Sequence, residues 1–332
     1  PEENRMKLAS LAKAAAAAIA AALFAAAPAQ AQQDWPNRTV KIVVAFTAGG
    51  TTDILARMIG QRFADKFKQP FIVENKPGGA GNIGTEFVIR APADGYTIMA
   101  NSVGPAAVNP SLFAGKINFN AVTDLDPIGQ IADVPNVLVV HPSTNIKTME
   151  EFLKYAKANP DNLNYASTGI GTSSHLSGFL LSSKAGLKAE HIPYKGAEAL
   201  KDLLAGRVQF MFATIPSVIQ HIKAGKLTAI AVSSRNRSRS MPEVPTVAES
   251  GFPGFEAGSW FGFFAPKNMP RDVVLALNKA LNESLTDKEI DARLVLDGAD
   301  PKPGTPEEFG AFVKAEYQKW AEVVKASGAK AN

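Results

Sequence analysis

Short apolar runs that alternate with helical patterns constrain the fold of this chain more than any other feature. The run TVKIVVAF, beginning at Thr39, is continuously apolar, as expected of a strand covered on both faces. Strand–helix alternation predicts an α/β protein whose sheets are mostly parallel and covered by helices. The predicted strands are TVKIVVAF, PFIVEN, GYTIMAN, NVLVVH, LNYAS, EHIPY, RVQFMFA, LTAIAVSS and SWFGFFAP.

The predicted helices lie between these strands and after the last one. Their ranges are 53–67, 82–89, 148–158, 174–185, 197–205, 216–223, 271–285, 288–296 and 306–325. Soft boundaries near 134–142 and 229–240 bracket a central block, which indicates one domain interrupted by another. In that arrangement the closing helix, with its apolar stripe, packs back on the first domain.

The first 31 residues have the pattern of a targeting segment. Arg5, Lys7 and Lys13 flank an alanine-rich apolar core at 14–27, and Ala-Gln-Ala at 29–31 fits the small-x-small cleavage rule. The five residues before the first methionine are interpreted as additional to this leader. We therefore expect an exported, periplasmic protein that is cleaved near Ala31.

Composition excludes several kinds of site. The chain has no cysteine, which excludes thiol catalysis, disulfides and Cys-ligated metals. Its four histidines are scattered singly, without metal-ligand spacing, so we expect neither a metal nor a cofactor. The one basic cluster, SSRNRSRS at 233–240, contains no aromatic residue and is interpreted as a solvated loop. We expect no nucleic-acid partner.

Three glycine-rich turns each connect a strand to a helix. They are VVAFTAGGTTDILARM at 43–58, ENKPGGAGNIGTEF at 74–87 and NYASTGIGTSSHLSGF at 164–179. Open α/β sheets bind ligands at the carboxyl ends of their strands. Helix N-termini offer unpaired N–H groups and the positive end of the helix dipole, and glycine allows close approach to the backbone. The turns therefore predict a site for an anion.

The same turns contain no lysine or arginine. Cationic side chains are missing from 45–53, 78–84 and 166–175. An anion there would be held by hydroxyls, backbone amides and helix dipoles alone. The alternative is that the glycines and threonines merely cap helices, with Asp53 as a capping group. Three such turns in one chain favour binding.

Two enzymatic interpretations find little support. The second turn contains G-x-G-x-x-G at 79–84, but no acidic residue for a ribose occurs from Gly95 to Val122. No G-x-S-x-G motif is present, and His175 follows two serines without a nearby carboxylate to orient it. An exported enzyme that uses His175 on a carboxylate remains the alternative to a binding protein.

Several motifs in succession resemble the Bug family, the TctC-like extracytoplasmic solute receptors of tripartite tricarboxylate transporters. The motifs are the three turns, DGYTIM, HIPYKGAEALKDLLAGRVQFMF, IKAGKLTAIAVSS and VPTVAESGFPGFEAGSWFGFFAP, which together span almost the whole mature chain. The resemblance implies a monomeric, two-lobed periplasmic binding protein of type II-like architecture that closes on a small carboxylate. Residues 35–135 with 236–332 would form lobe 1, and residues 136–235 lobe 2. Integral-membrane transporter components would be its partners; a receptor that signals ligand occupancy is the alternative use.

The resemblance also implies the binding residues. Phe46, Thr47, Ala48, Gly49, Gly50, Thr51, Thr52 and Asp53 would form one wall, Ser167, Thr168, Gly169, Thr172 and Ser173 the other, and Gly81, Asn82, Asn101 and Ser102 would face the cleft. Some relatives have an acidic residue where this chain has Ala213 and Thr214, and such a residue could pair with an ammonium group. Its absence favours a mono- or dicarboxylate over an amino acid. Trp260 and Phe261 are further candidates for the rest of the cleft.

Overall fold

The structure, a computed structural model, describes residues 35–327. The chain divides into two compact units, Pro1–Asn37 and Arg38–Asn332, and every helix and strand below belongs to the second. The predicted leader, with its cleavage site near Ala31, lies outside the described residues. Within 35–327 no helix combines the length and apolar character that crossing a membrane requires.

The strands and helices follow the predicted alternation. The strands are β1 (Val40–Val44), β2 (Phe71–Asn75), β3 (Thr97–Ser102), β4 (Leu125–Val140), β5 (Asn164–Ser167), β6 (Glu190–Pro193), β7 (Phe210–Thr214), β8 (Thr228–Val232), β9 (Gly258–Pro266) and β10 (Asp300–Pro301). The α-helices are α1 (Thr51–Phe67), α2 (Asn82–Ile89), α3 (Asn109–Leu112), α4 (Ala121–Asp124), α5 (Met149–Ala158), α6 (Ser173–Ala185), α7 (Glu198–Leu204), α8 (Ile215–Lys223), α9 (Arg271–Leu285), α10 (Lys288–Leu296) and α11 (Pro306–Ser327).

Every predicted strand and helix is present, and the elements that the sequence did not predict are short or irregular. Strand β4 begins at Leu125, well before the predicted apolar run, and its first half contains Pro127 and Gly129. Its register against β9 shifts twice, between Pro127 and Gly129 and between Gln130 and Ala132. Proline and glycine normally argue against a strand, and the two irregularities accommodate them here.

Strand β4 joins two sheets. Its residues Leu125 to Pro135 pair with β9, and its residues Asn136 to Val140 pair with β7 and β8. The strand order is β2-β1-β3-β9-β4 on one side and β4-β7-β5-β6 on the other, with β10 and β8 also paired to β4. The fold is thus α/β with two lobes.

The two sheets are mixed. Strands β1, β2 and β3 pair in parallel, as do β5, β6 and β7, which matches the expected strand–helix–strand units. Strands β4 and β9 run antiparallel to their neighbours. No long helix immediately precedes either of these strands, so neither continues a parallel crossover. The prediction of mostly parallel sheets therefore holds for the outer strands.

The second sheet is covered on both faces. Alternate residues of β4 point to opposite sides: Leu138 and Val140 join one buried cluster, and Val137 and Val139 join another. Helix α5 covers the first cluster and α8 the second. Residues from the segment before β9 also belong to these clusters: Met241, Val244, Val247, Phe255 and Ala257. This segment packs with the second sheet, whereas the sequence prediction assigned 236–257 to lobe 1.

Helix α11 packs on the first sheet, where the sequence prediction placed the closing helix. The Phe309 ring lies 5.7 Å from that of Trp260 and 5.1 Å from that of Phe264. Gly262 makes this packing possible, because a Cβ at that position would meet the Phe309 ring at 2.2 Å. The indole of Trp260 donates a hydrogen bond to Glu316 at 3.1 Å. Trp260 is therefore part of the α11 packing.

Candidate functional site

A small cavity lies where the two lobes meet. It has a volume of about 50 Å³. Its lining consists of Phe46, Gly50, Thr51, Thr52, Ser102, Thr168, Thr172, Ser173, Gly196, Ala197, Thr214, Ser259 and Phe261. Among these described residues none carries a charged side chain, and most offer a hydroxyl or a backbone N–H.

Four helix N-termini reach this cavity. Helix α1 begins after Gly50, helix α6 after Thr172, helix α7 after Ala197 and helix α8 after Thr214. Gly50 is extended and provides no side-chain cap, so the first N–H groups of α1 remain available for another acceptor. The start of α8 was not among the three turns predicted to bind. Converging helix starts favour a negatively charged ligand without any cation.

On the first wall, Asp53 supports the turn but does not line the cavity. Its carboxylate accepts hydrogen bonds from Gly49 N at 3.0 Å, from Arg57 Nε at 3.0 Å and from Asn75 Nδ2 at 3.0 Å. Burial raises the pKa of Asp53, but the hydrogen bonds from Arg57, Gly49 and Asn75 and the charge of Arg57 outweigh it, so the pKa lies below the usual value. The carboxylate stays ionised and fixes the loop before α1.

On the second wall, two predicted donors are already engaged. The Thr172 hydroxyl donates to Gly169 O at 2.7 Å and accepts from His175 N, so it acts as the N-cap of α6. The Ser173 hydroxyl donates to Asn136 Oδ1 at 3.3 Å. These residues line the cavity while their hydroxyl protons stabilise the turn.

Four other hydroxyls of the lining are free to donate. Within the described part of the chain, no hydrogen bond joins the side chains of Thr52, Ser102, Thr168 or Ser259 to another protein group. They come from both lobes: Thr52 and Ser102 from the first sheet's elements, Thr168 from the turn after β5, and Ser259 from β9. These four are the best candidates for direct contact with a ligand.

The two lobes touch each other directly around the cavity. The Thr47 hydroxyl donates to Lys195 O at 3.1 Å and accepts from Ala197 N at 2.9 Å. The hydroxyls of Thr51 and Thr214 lie 2.6 Å apart. The structure is therefore a closed arrangement in which threonines of the first turn bridge to the second lobe.

The structure brings about half of the predicted residues to the cavity. Those that line it are Phe46, Gly50, Thr51, Thr52, Ser102, Thr168, Thr172, Ser173 and Thr214. Those that do not are Thr47, Ala48, Gly49, Asp53, Gly81, Asn82, Asn101, Ser167, Gly169 and Ala213.

The residues away from the cavity mostly have internal partners. Asn82 Oδ1 accepts from Asn109 Nδ2 at 2.8 Å, and Asn101 donates to Thr85 and accepts from Ser102 N. Ala213 is buried within β7, as expected of a strand residue between two helical layers. Through these hydrogen bonds Asn82 and Asn101 stabilise the protein around the cavity instead of lining it.

Sequence reasoning missed three lining residues: Gly196, Ala197 and Ser259. Gly196 and Ala197 form a fourth strand–glycine–helix turn, between β6 and α7. The stretch HIPYKGAEAL carries this signal, with glycine between a strand pattern and a helix pattern. Ser259 follows the glycine that starts β9 and has no comparable signal.

A larger groove, of about 430 Å³, lies where β4 passes between the sheets, and it is a poorer candidate. Its charged lining residues have ion-pair partners: Arg235 pairs with Glu256 and Lys302 with Asp133 inside the groove, whereas Arg237 and Asp300 pair with residues outside its lining. Burial raises the pKa of Asp133, and Lys302 opposes that shift only in part. Because these charged side chains already form ion pairs, the groove offers a ligand few charged groups that are free to bind it.

Known proteins resemble this chain along most of its length. Residues 55–329 match the family model described as tripartite tricarboxylate transporter family receptor. Protein BugT of Bordetella pertussis is 37% identical over 307 residues, which cover 92% of this chain and 94% of BugT.

Solved structures of other proteins share the fold of this chain. Rpa4515 of R. palustris, solved with adipate, has a TM-score of 0.86 at 35% identity and covers 89% of this chain and 98% of its own. MatC of Rhodopseudomonas palustris, solved with bound malate, has a TM-score of 0.82 at 32% identity, over 87% of this chain and 100% of its own. The matching family is a family of receptors, which confirms the prediction of a binding protein. The chain belongs to the receptor family of the tripartite tricarboxylate transporters.

Proposed function

We propose that this receptor binds one small mono- or dicarboxylate in the cavity between its lobes, in the periplasm, and presents it to the membrane components of a tripartite transporter. The observation that carries the proposal is the convergence of four helix N-termini on a lining of neutral donors. Such a lining matches carboxylate oxygens, which accept several hydrogen bonds each. It has no group to match a cationic ligand.

The lining favours a particular kind of carboxylate. An amino acid would need a negatively charged partner for its ammonium group, and the end of β7 holds Ala213 and Thr214 instead of an acid. A tricarboxylate would carry more negative charge than neutral hydroxyls offset. The apolar ring of Phe261 suits a methylene chain. Adipate in Rpa4515 and malate in MatC support a dicarboxylate.

Closure is proposed to occur about the two chain segments that pass between the lobes. One is β4 near Pro135 and Asn136, and the other is the entry to β9 near Gly258. The packing of 236–257 with the second sheet supports placing these residues in lobe 2, with 35–135 and 258–332 in lobe 1. Export, cleavage near Ala31 and a monomeric state belong to the same proposal and are supported by the leader sequence and the family.

A thermal-shift panel tests this function. We expect adipate or malate to raise the melting temperature saturably, because a ligand that binds only the folded state stabilises it by mass action. Benzoate, citrate, glutamate and aspartate complete the panel. Preference for glutamate or aspartate would contradict the inference from Ala213, and preference for citrate would contradict the neutral site. Recovery of unchanged ligand after incubation separates a receptor from an enzyme.

A further inference from the structure

Two histidines lie stacked beneath the glycine-rich turn of the second lobe. His175 stands in the first turn of α6 and His191 in β6, and their ring centroids are 3.9 Å apart with planes at 18°. The ring of Tyr165 lies 4.9 Å from that of His191 and 5.3 Å from that of Phe210. No sequence pattern predicts this pair, because most of helix α6 lies between the two residues.

Each imidazole reaches the turn with one ring nitrogen. Gly171 N donates to His175 Nδ1 at 3.1 Å. His191 Nε2 lies 2.6 Å from Ser167 Oγ, which itself accepts from Gly169 N at 3.2 Å. The pair thus contacts the turn at Ser167 and at Gly171, and through the Ser167 hydroxyl it also supports Gly169.

The hydrogen bond from Gly171 defines the state of His175. An N–H group can donate only to a nitrogen that keeps its lone pair, so Nδ1 carries no proton and the neutral ring carries it on Nε2. Burial lowers the pKa of His175 to about 4. Burial and the charge that His175 would carry lower the pKa of His191 to about 3. The aromatic ring that faces the pair, that of Tyr165, offers no compensating negative charge.

The turn needs such support. Gly169 has φ +141 and Gly171 has φ +80, conformations that glycine adopts easily and also leaves easily. Neither glycine has a side chain with which to anchor the backbone. Thr168, Thr172 and Ser173, which line the ligand cavity, are carried on this stretch. Their positions therefore depend on groups that hold the backbone from behind.

We propose that His175 and His191 are positioning residues for the ligand: as a neutral stacked pair they fix the 167–173 turn in its binding geometry without touching the ligand. The proposal deepens the proposed function and rests on it for the ligand, but the state of the turn can be measured without one. The essential groups are the acceptor at His175 Nδ1 and the polar contact at His191 Nε2.

Matched substitutions distinguish the effect of losing these polar groups from the effect of changing the packing. His175→Asn keeps an acceptor near the position of Nδ1, whereas His175→Leu fills the space without one. His191→Gln and His191→Leu form the equivalent pair for Ser167, and remain informative if His175→Leu does not fold. His221→Gln, at the end of α8 in the same lobe, is the control.

Amide hydrogen exchange followed by NMR is the first measurement, on the full chain without ligand. We expect Gly171 N–H to exchange at least about tenfold faster in His175→Leu than in wild type, and to stay protected in His175→Asn and His221→Gln. The ¹⁵N shifts of His175 in wild type should identify the Nε2–H tautomer. Equal protection in all variants, or a proton on Nδ1, overturns the proposal.

Titration calorimetry with adipate and malate at neutral pH is the second measurement. We expect both leucine variants to bind about tenfold more weakly than wild type, and His175→Asn and His191→Gln to stay within about threefold. Wild-type affinity in the folded leucine variants overturns the positioning role. If wild type binds neither acid, the proposed dicarboxylate function fails, and the exchange result alone decides the role of the pair.

Discussion

Replacing Gly196 by alanine should weaken ligand binding by opposing closure. An added Cβ would lie 2.6 Å from Thr47 Oγ1 and 3.1 Å from Thr47 N, atoms of the opposite lobe. To avoid it, Thr47 must give up its hydrogen bonds to Lys195 O and from Ala197 N. At about 1 kcal/mol for each bond, closure becomes less favourable by about 2 kcal/mol, which corresponds to about 30-fold weaker binding.

The backbone strain of the same substitution acts separately. Gly196 has φ +68, where alanine costs about 1 kcal/mol in the open and the closed form alike, so this strain lowers stability but not affinity. Gly225→Ala is the matched control, because Gly225 has the same φ of +68 and nothing within 4 Å of an added Cβ. Calorimetry with adipate should show weak binding only for Gly196→Ala, with similar melting temperatures for both variants. Equal affinities of the two variants would refute the Thr47–Gly196 contact in the liganded state.

Three further outcomes follow from the site. As pH falls from about 6.5 toward 4, the unfolded chain takes up protons on His175 and His191, whereas both buried rings stay neutral in the folded protein, so the free energy of unfolding falls. The share of His175 in this loss is about 3 kcal/mol, and urea denaturation should show that His175→Asn removes this share. The same pH dependence in both proteins would argue against a buried neutral ring at His175. Ser102→Ala should weaken adipate binding about fivefold without changing the melting temperature. Thr172→Ala removes a helix cap and should therefore lower both the affinity for adipate and the melting temperature. Unchanged affinity in Ser102→Ala would show that this hydroxyl does not contact the ligand. Asp53→Ala should lower the free energy of unfolding, measured by urea denaturation, by about 2 kcal/mol, because the first turn loses its hydrogen bonds to the carboxylate. A free energy of unfolding equal to that of wild type would count against the supporting role of Asp53.

Much of the fold could be predicted from local patterns. Short apolar runs bounded by turn residues, such as that around Val43, favour strands buried between helical layers, and the predicted ones are strands here. The first half of β4 could not be predicted, because Pro127 and Gly129 are tolerated only through register shifts that depend on β9. The packing of the segment before β9 on the second sheet could not be predicted either, since Phe255 joins that cluster through contacts with residues distant in sequence.

The position of the cavity was predictable from the sequence, but the contacts made by its lining residues were not. Glycine-rich turns at strand ends indicated where the cavity would lie, and Thr52 and Thr168 line it. Which hydroxyls face the cavity freely depends on partners far along the chain. Ser173 is engaged by Asn136, and Asp53 by Asn75. No local pattern contains that information, and the stacked histidines were hidden for the same reason.

A crystal structure of the protein grown with adipate tests the central claim most directly. The account predicts one ligand between the lobes, with a carboxylate about 3 Å from the hydroxyls of Thr52, Ser102 or Thr168 and from the first N–H groups of α1 or α6. It also predicts that no lysine or arginine contacts that carboxylate. Adipate bound instead in the charged groove beside Asp133 and Arg235, or held in the cleft by a cationic side chain, would contradict it.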